Sequence, residues 1–128
     1  MKRRYQLLAG SWAMVIMILC GLPGKKLPKL SFLDWAKPDK IVHLIMFGVM
    51  SFLLLKSFFT EYGKKTTTYK FIAVSVSIAY GVLIEILQAT IFIDRTGDFR
   101  DALADALGAF IGLWIFNYLD KKQNSQLN

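Results

Sequence analysis

Four long apolar runs occupy most of this 128-residue chain, and each is long enough to cross a bilayer. A span takes roughly 20 predominantly apolar residues, because a helix rises 1.5 Å per residue and the hydrocarbon layer is about 30 Å thick. A soluble domain of this length buries a modest core and has no use for such runs. They lie at about residues 5–22, 40–59, 69–93 and 102–119. They predict an all-α fold, an integral membrane bundle of four transmembrane helices, organised as a single membrane domain over residues 1–128.

The connections carry the turn and charge signals. Met1-Lys2-Arg3-Arg4 precedes the first run, which a signal peptide would also show, but no small-residue cleavage site follows. Met17-Ile18-Leu19-Cys20 has Leu19 where a lipoprotein cleavage box takes a small residue, so a retained first helix is expected. Residues 23–39 are Lys-rich and contain Pro23, Pro28 and Pro38, which discourage helix. Within them Trp35 is expected at the head-group level. A polar link covers 61–68, and a compact charged loop with the turn-forming Gly97 covers 94–101. The polar tail from Asp120 is expected to fray. Cys20 is the sole cysteine, which excludes an intrachain disulfide and a thiolate metal cluster.

The net charge of +7 belongs to residues flanking the spans, where it meets lipid head groups. With no phosphate-binding glycine loop and no basic–aromatic stripe outside the spans, nucleic acid is not an expected partner. Four spans put both termini on one side. That side, with the 60–68 link, carries eight basic residues besides Lys56, against seven on the other. The excess, together with the basic N-terminus, favours cytoplasmic termini.

Ionisable side chains inside spans are costly and face a bundle interior or a wet cavity, so their positions are the most informative. Asp39, Lys40 and His43 stand in the first turn of span two, with Asp39 suited to a helix N-terminus. Ser77, Gly81, Glu85 and Gln88 form one stripe on span three, with Glu85 about 12 Å before its end. The 94–101 loop supplies Arg95, Asp98 and Asp101, and Asp105 follows one turn into span four. Antiparallel alternation brings the start of span two, the end of span three and the start of span four to one membrane face. On the favoured orientation this face is extracytoplasmic.

Plainer roles exist for each residue. Asp39 is satisfied as an N-cap and His43 as an interfacial histidine. Glu85 is satisfied by an ion pair with Arg95 or a hydrogen bond with Gln88. Gly108-x-x-x-Gly112 provides close helix contact, within the bundle or in a homodimer.

The ordered set Asp39-Lys40-x-x-His43, Gly81-x-x-x-Glu85-x-x-Gln88 and Arg95-x-x-Asp98-x-x-Asp101-x-x-x-Asp105-x-x-Gly108, after Leu22-Pro23-Gly24, resembles the VanZ-like family of small bacterial membrane proteins. The resemblance spans about residues 5–118. Where the family usually has Asn in span four, this chain has Asp105, an extra carboxylate that repels Glu85 and Asp101 unless a cation or shared proton intervenes. The resemblance implies a multi-pass protein of the bacterial cell membrane with a cell-envelope role. The founding member is associated with low-level resistance to the glycopeptide teicoplanin.

Three functional classes follow. The first binds or modifies a lipid-linked or cell-wall molecule at the extracytoplasmic face, with membrane lipids and a lipid-linked wall precursor as partners. In it, His43, Glu85 and Asp101 are the candidate acid–base groups. Asp39, Lys40, Gln88, Arg95, Asp98 and Asp105 are candidate substrate-binding residues, Arg95 and Lys40 suiting a phosphate or carboxylate. An enzymatic variant has His43, Glu85, Asp98, Asp101 and Asp105 holding magnesium, manganese or zinc, although no contiguous metal motif is present. The second class is a small oligomeric proton-coupled transporter. The third is a structural or partner-binding bundle whose polar groups brace helices.

Overall fold

The computed structural model describes residues 3–23, 38–63 and 67–126. Among them are four helices: α1 (Arg4–Gly21), α2 (Pro38–Tyr62), α3 (Thr67–Thr90) and α4 (Phe99–Ser125). Each is long and apolar enough to cross a membrane. The placement expected for Trp35 falls outside the described residues.

Several boundaries differ from the sequence reading. Helix α2 opens on Pro38, whose fixed φ and missing N–H suit a first helical position, so Asp39 sits inside the first turn. Helix α3 stops at Thr90 rather than near Ile93. The amides of Ile91 and Phe92 both donate to Leu87 O, and Asp94 turns the chain at φ +56°. Glu85 is thus five residues, about 7.5 Å, from the helix end. Helix α4 starts early because Asp98 caps it, its carboxylate accepting the Arg100 amide at 2.8 Å. The tail expected to fray continues that helix to Ser125, with Lys122 in the last turn where the helix dipole favours a cation.

Helix α2 is central and touches the other three, while α1 and α4 do not meet among the described residues. The α2–α4 contact is close because it is built on glycine. A Cβ at Gly108 would lie 2.2 Å from Leu44 O, and one at Gly112 2.3 Å from Gly48 O. The glycine pair expected to serve the bundle or a homodimer therefore makes its contact with α2 of the same chain.

Ile16, Cys20, Met46, Phe47, Met50 and Ile84 form the core between α1, α2 and α3. Two polar aromatics tie α1 into it: Trp12 Nε1 donates to Met46 O at 2.9 Å, and the Tyr80 hydroxyl donates to Ala13 O at 2.8 Å. Toward the other end Leu55, Ala73 and Phe116 pack together, and Tyr62 and Tyr69 stack at 5.0 Å. The perimeter is apolar: Leu7, Phe71 and Trp114 are each about two-thirds or more exposed. On a soluble monomer such a surface would drive association; around a membrane bundle it faces lipid.

Candidate functional site

The polar residues do converge at one end of the bundle, and His43 is their centre. It lies one turn into α2 with 3 % of its surface exposed, its ring stacked toward Phe47 at 6.4 Å between centroids. Its Nδ1 is 2.9 Å from Asp105 Oδ1 of α4 and 3.8 Å from Glu85 Oε1 of α3. An ionised carboxylate can only accept, so with Asp105 charged the proton of this bond is on Nδ1. Three helices therefore present one imidazole and two carboxylates to a single point.

Local sequence explains how the carboxylates fit. Asp105 sits in the notch left by Gly81: a Cβ there would come within 2.8 Å of the Asp105 Cβ and 2.7 Å of its Oδ2. The four-residue step from Gly81 to Glu85 puts the notch and the second carboxylate on one face of α3. Glu85 Oε2 accepts the Asp98 amide at 2.8 Å, so the loop that caps α4 also pins Glu85. This amide takes the place of the Arg95 or Gln88 partner considered for Glu85. Glu85 Oε1 and Asp105 Oδ2 are buried and have no hydrogen-bonding partner among the described residues.

A second layer lies nearer the surface. Lys40 Nζ donates to Asp98 Oδ2 at 3.2 Å and makes a close ion pair with Asp101 Oδ1. Asp101 is buried, whereas Asp39 is exposed; each offers a ligand atom within 4.8 Å of the other and of His43. Asp98 lies outside the spans, and its carboxyl is held below the usual carboxylate range, first by the Arg100 amide and then by Lys40.

Two residues assigned to substrate go elsewhere in this arrangement. Arg95 Nε donates to Leu22 O at 2.8 Å and its Nη2 to Leu19 O at 3.3 Å. Gln88 Nε2 donates to Cys20 O at 3.2 Å. Both satisfy carbonyls of the last turn of α1, which the helix itself leaves unpaired. They fasten α1 beside the polar cluster. His43, Glu85, Asp101 and Asp105, with Asp39, Lys40 and Asp98 above them, form the cluster proper.

The sequence reading missed Gly48, which lets α4 approach, and an open apolar crevice of about 370 Å³ between α3 and α4. Val82, Ile86, Ala89 and Phe99 line the crevice, and Glu85 and Asp98 stand in its wall. The i, i+4 pair Val82 and Ile86, one position after the stripe of Gly81 and Glu85, was its only mark in the sequence.

No curated protein and no solved structure matches this chain. The family profile described as VanZ/LLP1 matches residues 6–120, from the first turn of α1 through the spanning part of α4, and so takes in every residue of the cluster. The chain is a multi-pass membrane protein that belongs to the VanZ/LLP1 family.

Proposed function

We propose that this protein is a cell-envelope protein of the bacterial plasma membrane that binds a lipid-linked or cell-wall molecule at the extracytoplasmic face. The observation that carries the reading is the open apolar crevice between α3 and α4, whose lining residues include Glu85 and Asp98 of the cluster. An acyl or prenyl chain lying against Val82 and Ile86 would bring its head group to the His43 cluster. Two cationic side chains beside the cluster are already committed, Lys40 to Asp98 and Asp101 and Arg95 to α1. The remaining groups are mostly acceptors, which favours contact through sugar hydroxyls or peptide ammonium groups of the ligand. His43, Glu85 and Asp101 are the groups from which acid–base chemistry on such a ligand would come. The orientation rests on the basic-residue excess beside the termini.

The test is retention of a polyprenyl-linked disaccharide-peptide by purified protein in bilayer discs, against phosphatidylglycerol as control. Native protein is expected to retain the precursor selectively. Val82→Trp, which fills the crevice, and Asp101→Asn are each expected to lose most of that retention at unchanged melting temperature. Equal retention of both lipids, or retention indifferent to both substitutions, would remove the proposal. Because the family is linked to teicoplanin resistance, the same variants should be scored for teicoplanin susceptibility in cells.

A further inference from the structure

The deep half of the cluster has a charge imbalance that its neighbours do not resolve. In their ionised forms the buried Glu85, Asp101 and Asp105 would bring three negative charges, and Lys40, paired with Asp101, one positive charge. With His43 neutral, two of those negative charges would stand uncompensated, on Glu85 and Asp105. A proton on His43 offsets only one of these. Buried charges without compensation are among the costliest features a bundle can hold.

Geometry identifies the missing partner. His43, Glu85 and Asp105 each offer a ligand atom within 4.8 Å of the others, and all three residues are buried. Glu85 is 8 % and Asp105 1 % exposed, yet Glu85 Oε1 and Asp105 Oδ2 lack a partner among the described residues. Metal–ligand bonds of about 2.1 Å separate neighbouring ligands by about 3.0 Å in an octahedron and about 3.4 Å in a tetrahedron. The distances from His43 Nδ1, 2.9 Å to Asp105 Oδ1 and 3.8 Å to Glu85 Oε1, bracket those edges.

We infer that His43, Glu85 and Asp105 form a binding site for one divalent first-row cation of the zinc or manganese class. Imidazole with two carboxylates suits these ions better than calcium or magnesium, which take oxygen donors throughout. The cation and the Nδ1 proton are alternative occupants, since a metal-bound imidazole nitrogen gives up its proton. Three protein ligands leave further coordination positions open, as in metal sites that engage a ligand directly. The inference does not rest on the lipid reading, because cation binding is measured without any lipid ligand.

The experiment titrates Mn²⁺ into tag-free, full-length protein in detergent and reads free Mn²⁺ by electron paramagnetic resonance. The expected result is one Mn²⁺ bound per chain, displaced by equimolar Zn²⁺ and not by a tenfold excess of Mg²⁺. Glu85→Gln and Asp105→Asn are each expected to weaken binding at least tenfold. Asp94→Asn, in the loop outside the trio, is expected to leave it unchanged. If a trio variant does not fold, native protein and Asp94→Asn decide: stoichiometric binding unaffected by the loop substitution supports the site. Absence of saturable binding by native protein, equal displacement by Mg²⁺, loss of binding in Asp94→Asn, or full binding by folded trio variants would overturn it.

Discussion

His43 Nδ1 on α2 and Asp105 Oδ1 on α4 lie 2.9 Å apart in the bundle interior, joining the two helices that pack most closely. Asp105 has 1 % of its surface exposed, so water cannot replace His43 as its partner. The pair should therefore respond differently to loss of charge and loss of the hydrogen bond.

Asp105→Asn keeps an acceptor for His43 and removes one buried charge, so its melting temperature in detergent is expected within a few degrees of native. Asp105→Ala leaves the imidazole unpartnered and opens a void beside Gly81, at an expected cost of about 2–4 kcal/mol. Thermal unfolding of both variants checks the order. An Asn variant as unstable as the Ala variant would mean that the carboxylate charge itself holds the helices together.

The glycine contacts predict a contrast in sign. A methyl at Gly108 or Gly112 would meet helix backbone oxygens at 2.2 and 2.3 Å, which no rotamer change relieves. Gly108→Ala and Gly112→Ala should each cost at least the 1–3 kcal/mol typical of overpacking and lower membrane abundance. At Gly10 nothing lies within 4 Å, so Gly10→Ala should be neutral or stabilising by about 0.5–1 kcal/mol. Unfolding titrations of the three single variants test this directly.

The fold and the polar end of the bundle were legible for one reason: apolar run length and antiparallel alternation are properties of the chain itself. His43, Glu85, Asp101 and Asp105 converge because each stands within a few residues of a helix end at the same face. The roles of Arg95 and Gln88 were not legible in this way. Their acceptors are backbone carbonyls of Leu19, Cys20 and Leu22, which every sequence possesses and none advertises. Gly48 escaped notice because its use depends on which face of α4 lies opposite, a fact of packing. The Asp98 cap was hidden among other charged loop residues, although Asp three positions before Asp101 fits an N-cap preference.

The fastening of α1 yields a labelling prediction. Cys20 is 3 % exposed and its carbonyl accepts from Gln88, while Arg95 holds the carbonyls of Leu19 and Leu22 on either side. Arg95→Ala should loosen the last turn of α1 and raise maleimide labelling of Cys20 at least several-fold. Arg95→Lys should rescue only in part, because an ammonium lacks the planar fork that reaches two carbonyls. Arg100→Ala, an exposed change in the first turn of α4, is the control expected to label like native protein. Unchanged labelling in Arg95→Ala would show that core packing alone secures α1.

Asp98 gives the pH dependence a definite sign. Its carboxylate accepts the Arg100 amide and the Lys40 ammonium, and both favour the ionised form, lowering its pKa in the folded protein. A depressed folded-state value means that the group contributes stability above the unfolded-state value of about 3.9. That contribution disappears as pH falls through the lower folded-state value. Native protein should therefore melt above Asp98→Ala at neutral pH, and the gap should close as pH is taken below about 3.9. Asp98→Asn keeps a capping oxygen without the charge, so its stability should fall between the two at neutral pH. A native-to-Ala gap that persists undiminished into strong acid would show that the capping contact does not depend on its charge.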